Sequence, residues 1–144
     1  MITFSGDKKH IIGRQIALKN TINTIASDFG FTVNRIDYVF CDDEYLLEIN
    51  RNSLNHDYYT DIITFDYNED NTIESEIYIS IDRVKENAKS YNEGFHVELS
   101  RVILHGALHL VGFKDKTKKD KEKMRDMENK YIGILYEYST WNKL

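Results

Sequence analysis

Residues 96–111 constrain the fold more than any other segment. Nine apolar residues (Val97, Leu99, Val102, Ile103, Leu104, Ala107, Leu108, Leu110 and Val111) leave a helix there apolar nearly all round. Such a helix cannot rest on a surface with one face in water, so it is expected in the centre of the domain. Nowhere do about 18 apolar residues run together, and no segment is expected to span a membrane.

The remaining elements must be able to wrap that helix. Residues 1–5 read as a short strand. Leu18, Ile22, Ile25, Ala26 and Phe29 recur at helical spacing, and Gly30 follows as a stop. Val33 to Cys41 alternates as a strand with Val33, Arg35, Asp37, Val39 and Cys41 on one face. A helix is expected from Asp42 or Asp43 to about Asn52, with the aspartates at its positive end. Residues 62–65 and 77–81 read as neighbouring strands, Asp82 as the cap of a helix ending near Gly94, and Gly112 as the end of the central helix. A last amphipathic helix carries Met124, Met127, Tyr131, Leu135 and Tyr138 on one face. Helices and strands mix without strict βαβ alternation, which predicts an α+β fold: a small mixed sheet packed on several helices.

At 144 residues, with no repeats, no low-complexity tracts and no proline, the chain is expected to form a single domain over 1–144. Its one cysteine, Cys41, excludes an intrachain disulfide and a cysteine-based zinc ribbon, and is expected as a small buried apolar group. The first residues lack the basic and apolar segments of a signal peptide, so the expected compartment is the cytoplasm. Net charge is −5, which by itself disfavours a nucleic-acid partner. The distribution reverses that inference locally. From Lys114 to Arg125 seven basic residues face three acidic ones, so the run carries +4 and the rest of the chain −9.

The chemistry concentrates between His105 and Asp115. Residues four apart on a helix share a face, so His105 and His109 can point at one ion. Gly112 can take the positive φ that ends the helix, and the returning chain can bring Asp115 to the same place. Three protein ligands leave a fourth position for water, the open arrangement of catalytic zinc, with that water as the expected nucleophile. A His-Glu-x-x-His protease is disfavoured because Gly106 occupies the position of the glutamate base. The basic run begins beside Asp115 and suits a phosphodiester substrate. Tyr58, Tyr59 and Phe113 are candidate stacking surfaces for unpaired bases. His10, His56 and His96 are read as ordinary surface or capping histidines.

The run His105-Gly106-Ala107-Leu108-His109-Leu110-Val111-Gly112-Phe113 resembles the signature of the YbeY endoribonucleases, the rRNA maturation factors. Asp115 stands at the spacing of that family's third ligand, where most members have histidine. Asp57 to Phe65 is similar to the family's Asp-x-x-Thr-Asp-Val-Leu-Ser-Phe segment, and Glu76 to Ser80 to the strand after it. One position departs: Leu54 stands where many members carry an arginine thought to assist cleavage, with Arg51 one turn earlier. No second catalytic side chain is therefore assigned.

The resemblance implies one Zn2+ per chain and a single-strand-specific endoribonuclease. Its expected work is maturation of the 3′ end of small-subunit (16S) rRNA and ribosome quality control. The expected partners are rRNA and the small ribosomal subunit, with no membrane and no small-molecule cofactor. The alternative expectation is a ribosome-assembly binding factor whose zinc is mainly structural.

Overall fold

The computed structural model describes the backbone of residues 1–141 and the side chains of 1–138. The elements run β1 (Ile2–Gly6), α1 (Gln15–Asp28), β2 (Thr32–Cys41), α2 (Asp43–Leu54), β3 (Ile62–Asp66), β4 (Thr72–Ser80), α3 (Ile81–Ser90), α4 (Phe95–Leu110) and α5 (Lys118–Trp141). The four strands form one mixed sheet in the order β1-β2-β4-β3. β1 and β4 each run parallel to β2, and β3 is antiparallel to β4. This is the α+β arrangement expected.

α4 is the hub. Leu99, Ile103, Leu104 and Leu108 are essentially sealed from solvent, and α1, α3, α5, β3 and β4 all pack against the helix. On the sheet side the same core continues through Ile36, Tyr38, Phe40, Ile77 and Ile79, all buried. The Tyr38 hydroxyl satisfies itself by donating to the Ile103 carbonyl at 2.8 Å. Gly106 explains how close helix and sheet come. A Cβ there would lie 3.0 Å from Ile77 Cδ1 and 3.1 Å from Ile62 Cδ1, so even a methyl would make those two side chains give by a few tenths of an ångström.

β2 alternates as expected, with Ile36, Tyr38 and Phe40 turned to the core and Val33, Arg35, Asp37, Val39 and Cys41 on the other face, where Arg35 and Asp37 form an ion pair. Two local expectations change. β4 begins at Thr72, earlier than its apolar run, because Ser75 interrupts the core-facing alternation. Ser75 is nevertheless fully buried, its hydroxyl donating to the Phe65 carbonyl at 2.8 Å. α3 is capped by Ser80, whose Oγ accepts from Arg83 N at 3.2 Å, while the Asp82 carboxylate accepts from Asp43 N at 3.0 Å and ties α3 to α2. α3 ends at Ser90, and Gly94 becomes the N-cap of α4.

Candidate metal centre

α4 places His105 and His109 one turn apart, on the wall of a cleft also lined by Asp61, Glu98, Asp115 and Glu128. The helix stops because the chain turns at Gly112, whose φ of +109° is unfavourable for any residue with a Cβ. Phe113 N then bonds the Leu108 carbonyl at 3.1 Å, and the Phe113 ring packs edge-on against Phe29. Asn68, in the β3–β4 hairpin, donates to the Leu110 carbonyl at 3.0 Å and pins the same helix end. This return carries Asp115 back, and its Oδ2 lies 3.4 Å from His105 Nε2.

The ring of His105 is oriented from behind. Its Nδ1 lies 2.8 Å from Glu128 Oε2, and a carboxylate there can only accept, so Nδ1 carries the proton. Nε2 faces Asp115 Oδ2; a protonated ring donates toward that oxygen, and a neutral ring presents a lone pair that a cation could join to the carboxylate. Donors on a tetrahedral zinc, each about 2.0–2.1 Å from the ion, sit about 3.3–3.4 Å apart, which is the separation found. His109 is held similarly, its Nδ1 at 3.2 Å from the Phe113 carbonyl, which leaves Nε2 free as a donor atom. His109 is exposed, however, and among the described residues no three side chains form a ready-made metal cluster. The chain thus brings His105 and Asp115 together and leaves His109 on the same cleft, one turn outward.

Two imidazoles and a carboxylate are a donor set suited to zinc. The local field suits a cation as well. Burial pulls the His105 pKa down, but Glu128, Asp115 and Asp61 outweigh it and the ring's proton affinity is raised. Asp61 is pushed up by burial despite nearby His105, with Asn87 Nδ2 at 3.3 Å from its Oδ2. Glu98, almost wholly buried, is pushed up to about 7, first by burial and then by Glu93, with Arg101 opposing.

Arg101 organises this buried side. Its guanidinium reaches Glu128 Oε1 at 3.2 Å, Asn129 Oδ1 at 2.9 Å and Glu93 Oε1 at 3.4 Å. Its Nε faces Glu98 Oε1 at 3.8 Å, too far for a hydrogen bond, and both atoms are buried without a hydrogen-bond partner. Glu128, Arg101, Glu98 and Asp61 were not singled out as site residues from the sequence. Charged residues inside an otherwise apolar helix, as Glu98 and Arg101 are, signal a buried network.

Other sequence candidates fall elsewhere. Tyr58 stacks on His56 and Tyr59 donates to Glu44 at 2.6 Å, both exposed and outside the cleft lining. Phe113 is committed to Phe29. The exposed aromatic on the cleft is instead Tyr91, at the end of α3. Arg51 pairs with Asp57, and neither it nor Leu54 lines the cleft. His56 and His96 are exposed, while His10 is partly buried with Nε2 3.6 Å from Asp7. Cys41 is half-buried rather than sealed, and its thiol is pushed up to about 12, mainly by burial.

Comparison with known proteins agrees with this architecture. The family model described as Endoribonuclease YbeY matches residues 5–135. A protein of Cytophaga hutchinsonii named Endoribonuclease YbeY is 46% identical over 132 residues, 91% of this chain and 92% of that one. One of the same name from Flavobacterium johnsoniae is 40% identical over 136 residues, 94% and 98% of the two chains. Among solved structures, the solution structure of TM1509 from Thermotoga maritima superposes with a TM-score of 0.71 at 27% identity, covering 99% of this chain and 93% of that one.

Proposed function

The chain belongs to the YbeY endoribonuclease family, and from that premise we propose that it is a zinc-dependent endoribonuclease whose ion is held by His105, His109 and Asp115. The reaction is hydrolysis of an RNA phosphodiester bond. The observation that supports the ligand set best is the 3.4 Å approach of His105 Nε2 and Asp115 Oδ2, with Nδ1 already engaged by Glu128. Asp115 lies on an exposed loop and its side chain is half exposed, so it is free to reorient toward an ion shared with His109.

A bound divalent ion would supply Lewis acidity toward a water and a phosphoryl oxygen. The chain's own residues do the rest. Glu128 fixes the His105 tautomer and ring plane, and the Phe113 carbonyl does the same for His109. Asp115 contributes a negative charge where a third histidine would be neutral, which would make an ion held there a weaker Lewis acid. Asp61, on the cleft with a raised pKa, holds its proton further toward neutrality than an exposed aspartate.

Within the same reading the whole of residues 1–144 is one catalytic domain. The substrate is single-stranded rRNA at the 3′ end of the small-subunit species, the partner is the small ribosomal subunit, and the compartment is the cytoplasm. The basic run from Lys114 to Arg125 supports an RNA partner, and among the described residues no helix is long and apolar enough to cross a membrane.

The test is direct. Purified protein should contain about one zinc per chain, lose cleavage of single-stranded RNA on chelation and regain it with zinc. His109→Ala should reduce cleavage about 100-fold or more while leaving the fold intact, since that ring is exposed. Unchanged cleavage by this variant, free of contaminating nuclease, rejects the proposal.

One observation favours a second reading, an assembly factor with structural zinc: Leu54 and the Asp57-bound Arg51 deliver no cation to the cleft. Under it, zinc removal would lower the melting temperature without any cleavage to lose.

A further inference from the structure

Only two of the seven basic residues between Lys114 and Arg125 line the cleft. They are Lys121 and Arg125, one turn apart on α5. With Met124 and Glu128, which also line it, they form an i, i+3, i+4, i+7 stripe, so one face of α5 forms a wall of the cleft. Lys114, Lys116, Lys118, Lys119 and Lys123 are all exposed and none of them lines it. The N-terminus of α5 is closed on itself: Asp120 N donates to Thr117 Oγ1 at 3.0 Å and Thr117 N to Asp120 Oδ2 at 3.3 Å. On the cleft wall itself, the cationic groups that α5 offers an anion are these two side chains.

Both cations are available. The Lys121 ammonium has no carboxylate within ion-pair distance among the described residues, unlike Arg101 with its three glutamates. Arg125 Nε is 3.9 Å from Glu128 Oε1, an oxygen Arg101 already holds at 3.2 Å, and the Arg125 side chain is 52% exposed. Its guanidinium keeps most of its donors free.

Charge balance says what they are for. The groups lining the cleft include four carboxyls (Asp61, Glu98, Asp115 and Glu128) and three cations (Arg101, Lys121 and Arg125). Arg101 is spent on its glutamates, so Lys121 and Arg125 are the cations left to meet a phosphodiester. Removing both lowers the charge of the cleft by two, whatever the protonation of Asp61 and Glu98, and weakens its attraction for a polyanion.

We propose that Lys121 and Arg125 form a phosphate subsite beside the metal centre, gripping the backbone of single-stranded RNA at or next to the bond that is cut. The inference rests on the nuclease reading above, but binding tests it separately from cleavage. The rest of the basic run supplies only a diffuse field.

The experiment uses the zinc-loaded full chain and a non-cleavable 2′-O-methyl oligoribonucleotide, titrated over a range of KCl. Lys121→Ala/Arg125→Ala should weaken binding about ten-fold and lower the slope of log K against log salt by about 0.7–1.4, the expectation for losing one or two single-strand phosphate contacts. Zinc content and melting temperature should stay at wild-type values, and Lys121→Arg/Arg125→Lys should restore most of the affinity. Lys119→Ala/Lys123→Ala removes equal charge off the cleft and should change affinity less than about three-fold. Wild-type affinity and slope in the cleft pair overturn the subsite, as does an equal loss in the control pair. Selective loss of binding in the cleft pair, with no cleavage by any form, supports the subsite and rejects the nuclease reading. A wild-type chain that binds no RNA overturns both.

Discussion

His105 and His109 are one helical turn apart, yet their surroundings differ in kind. His105 is partly buried, backed by Glu128, which is itself clamped by Arg101 against Asn129 and beside Glu93. His109 and Asp115 stand in solvent at the rim, steadied by one backbone carbonyl and by a loop that turns at Gly112. The inner side is a buried polar network in which each charge depends on its neighbours. The outer side can shift without disturbing the core. Under the proposed ligand set, one donor is preorganised and the other two are free to move.

The sharpest way to break the contrast is Glu128→Ala. It leaves Arg101 buried with a lost partner and His105 without its orienting acceptor, and should destabilise the metal-free protein by about 3 kcal/mol. Chemical denaturation checks this, and a change below about 1 kcal/mol would dissolve the distinction between the two sides.

Glu98 tests the same network through pH. Its carboxyl is pushed up to about 7 in the folded state, so between the unfolded value near 4.5 and 7 the native protein binds more protons than the unfolded chain. That contribution to stability is present at pH 4.5 and lost as pH rises through 7. Glu98→Gln should therefore gain on wild type between pH 5 and pH 8, by an amount on the order of 1–3 kcal/mol. A difference between the two proteins that stays flat with pH would place the Glu98 carboxyl outside the low-dielectric side.

At the rim, Tyr91→Ala should weaken binding of single-stranded RNA by about 1 kcal/mol through lost base stacking, whereas Tyr91→Phe keeps it. Equal loss in both variants would point to the hydroxyl instead of the ring. The smallest structural effect is expected for Asp115→Asn. Its carboxylate is half exposed, so metal-free stability should move by less than about 0.5 kcal/mol while zinc affinity falls. A large fall in stability would show the loop to be part of the buried network.

How legible these regions were in the sequence follows the same divide. The three candidate ligands were readable because they lie within eleven positions of one another on a helix and its turn, from His105 to Asp115. Local spacing of 3.6 residues per turn and a glycine stop place them without knowledge of the rest. On the buried side, Glu98 and Arg101 mark a network by their place in an apolar helix, but their partners were not readable. Glu128 meets His105 across 23 positions and Arg101 across 27, and such partners are chosen by packing. Gly106 shows both levels. Its identity excluded a glutamate base, but its closeness to Ile62 and Ile77 appears only when helix meets sheet.

The basic run marks the limit of inference from local pattern. Its charge was countable along the chain, and yet which two of its seven cations face the cleft depended on the rotation of α5 about its own axis, set by Met124, Tyr131 and Leu135 settling into the core. Periodicity and turn chemistry act between near neighbours, so the sequence by itself determined the helices, the α+β class and the two stacked imidazoles. Burial acts between segments far apart in the chain. Only the tertiary structure could decide which carboxylate orients a ring, which charge is sealed from water and which is left for a substrate.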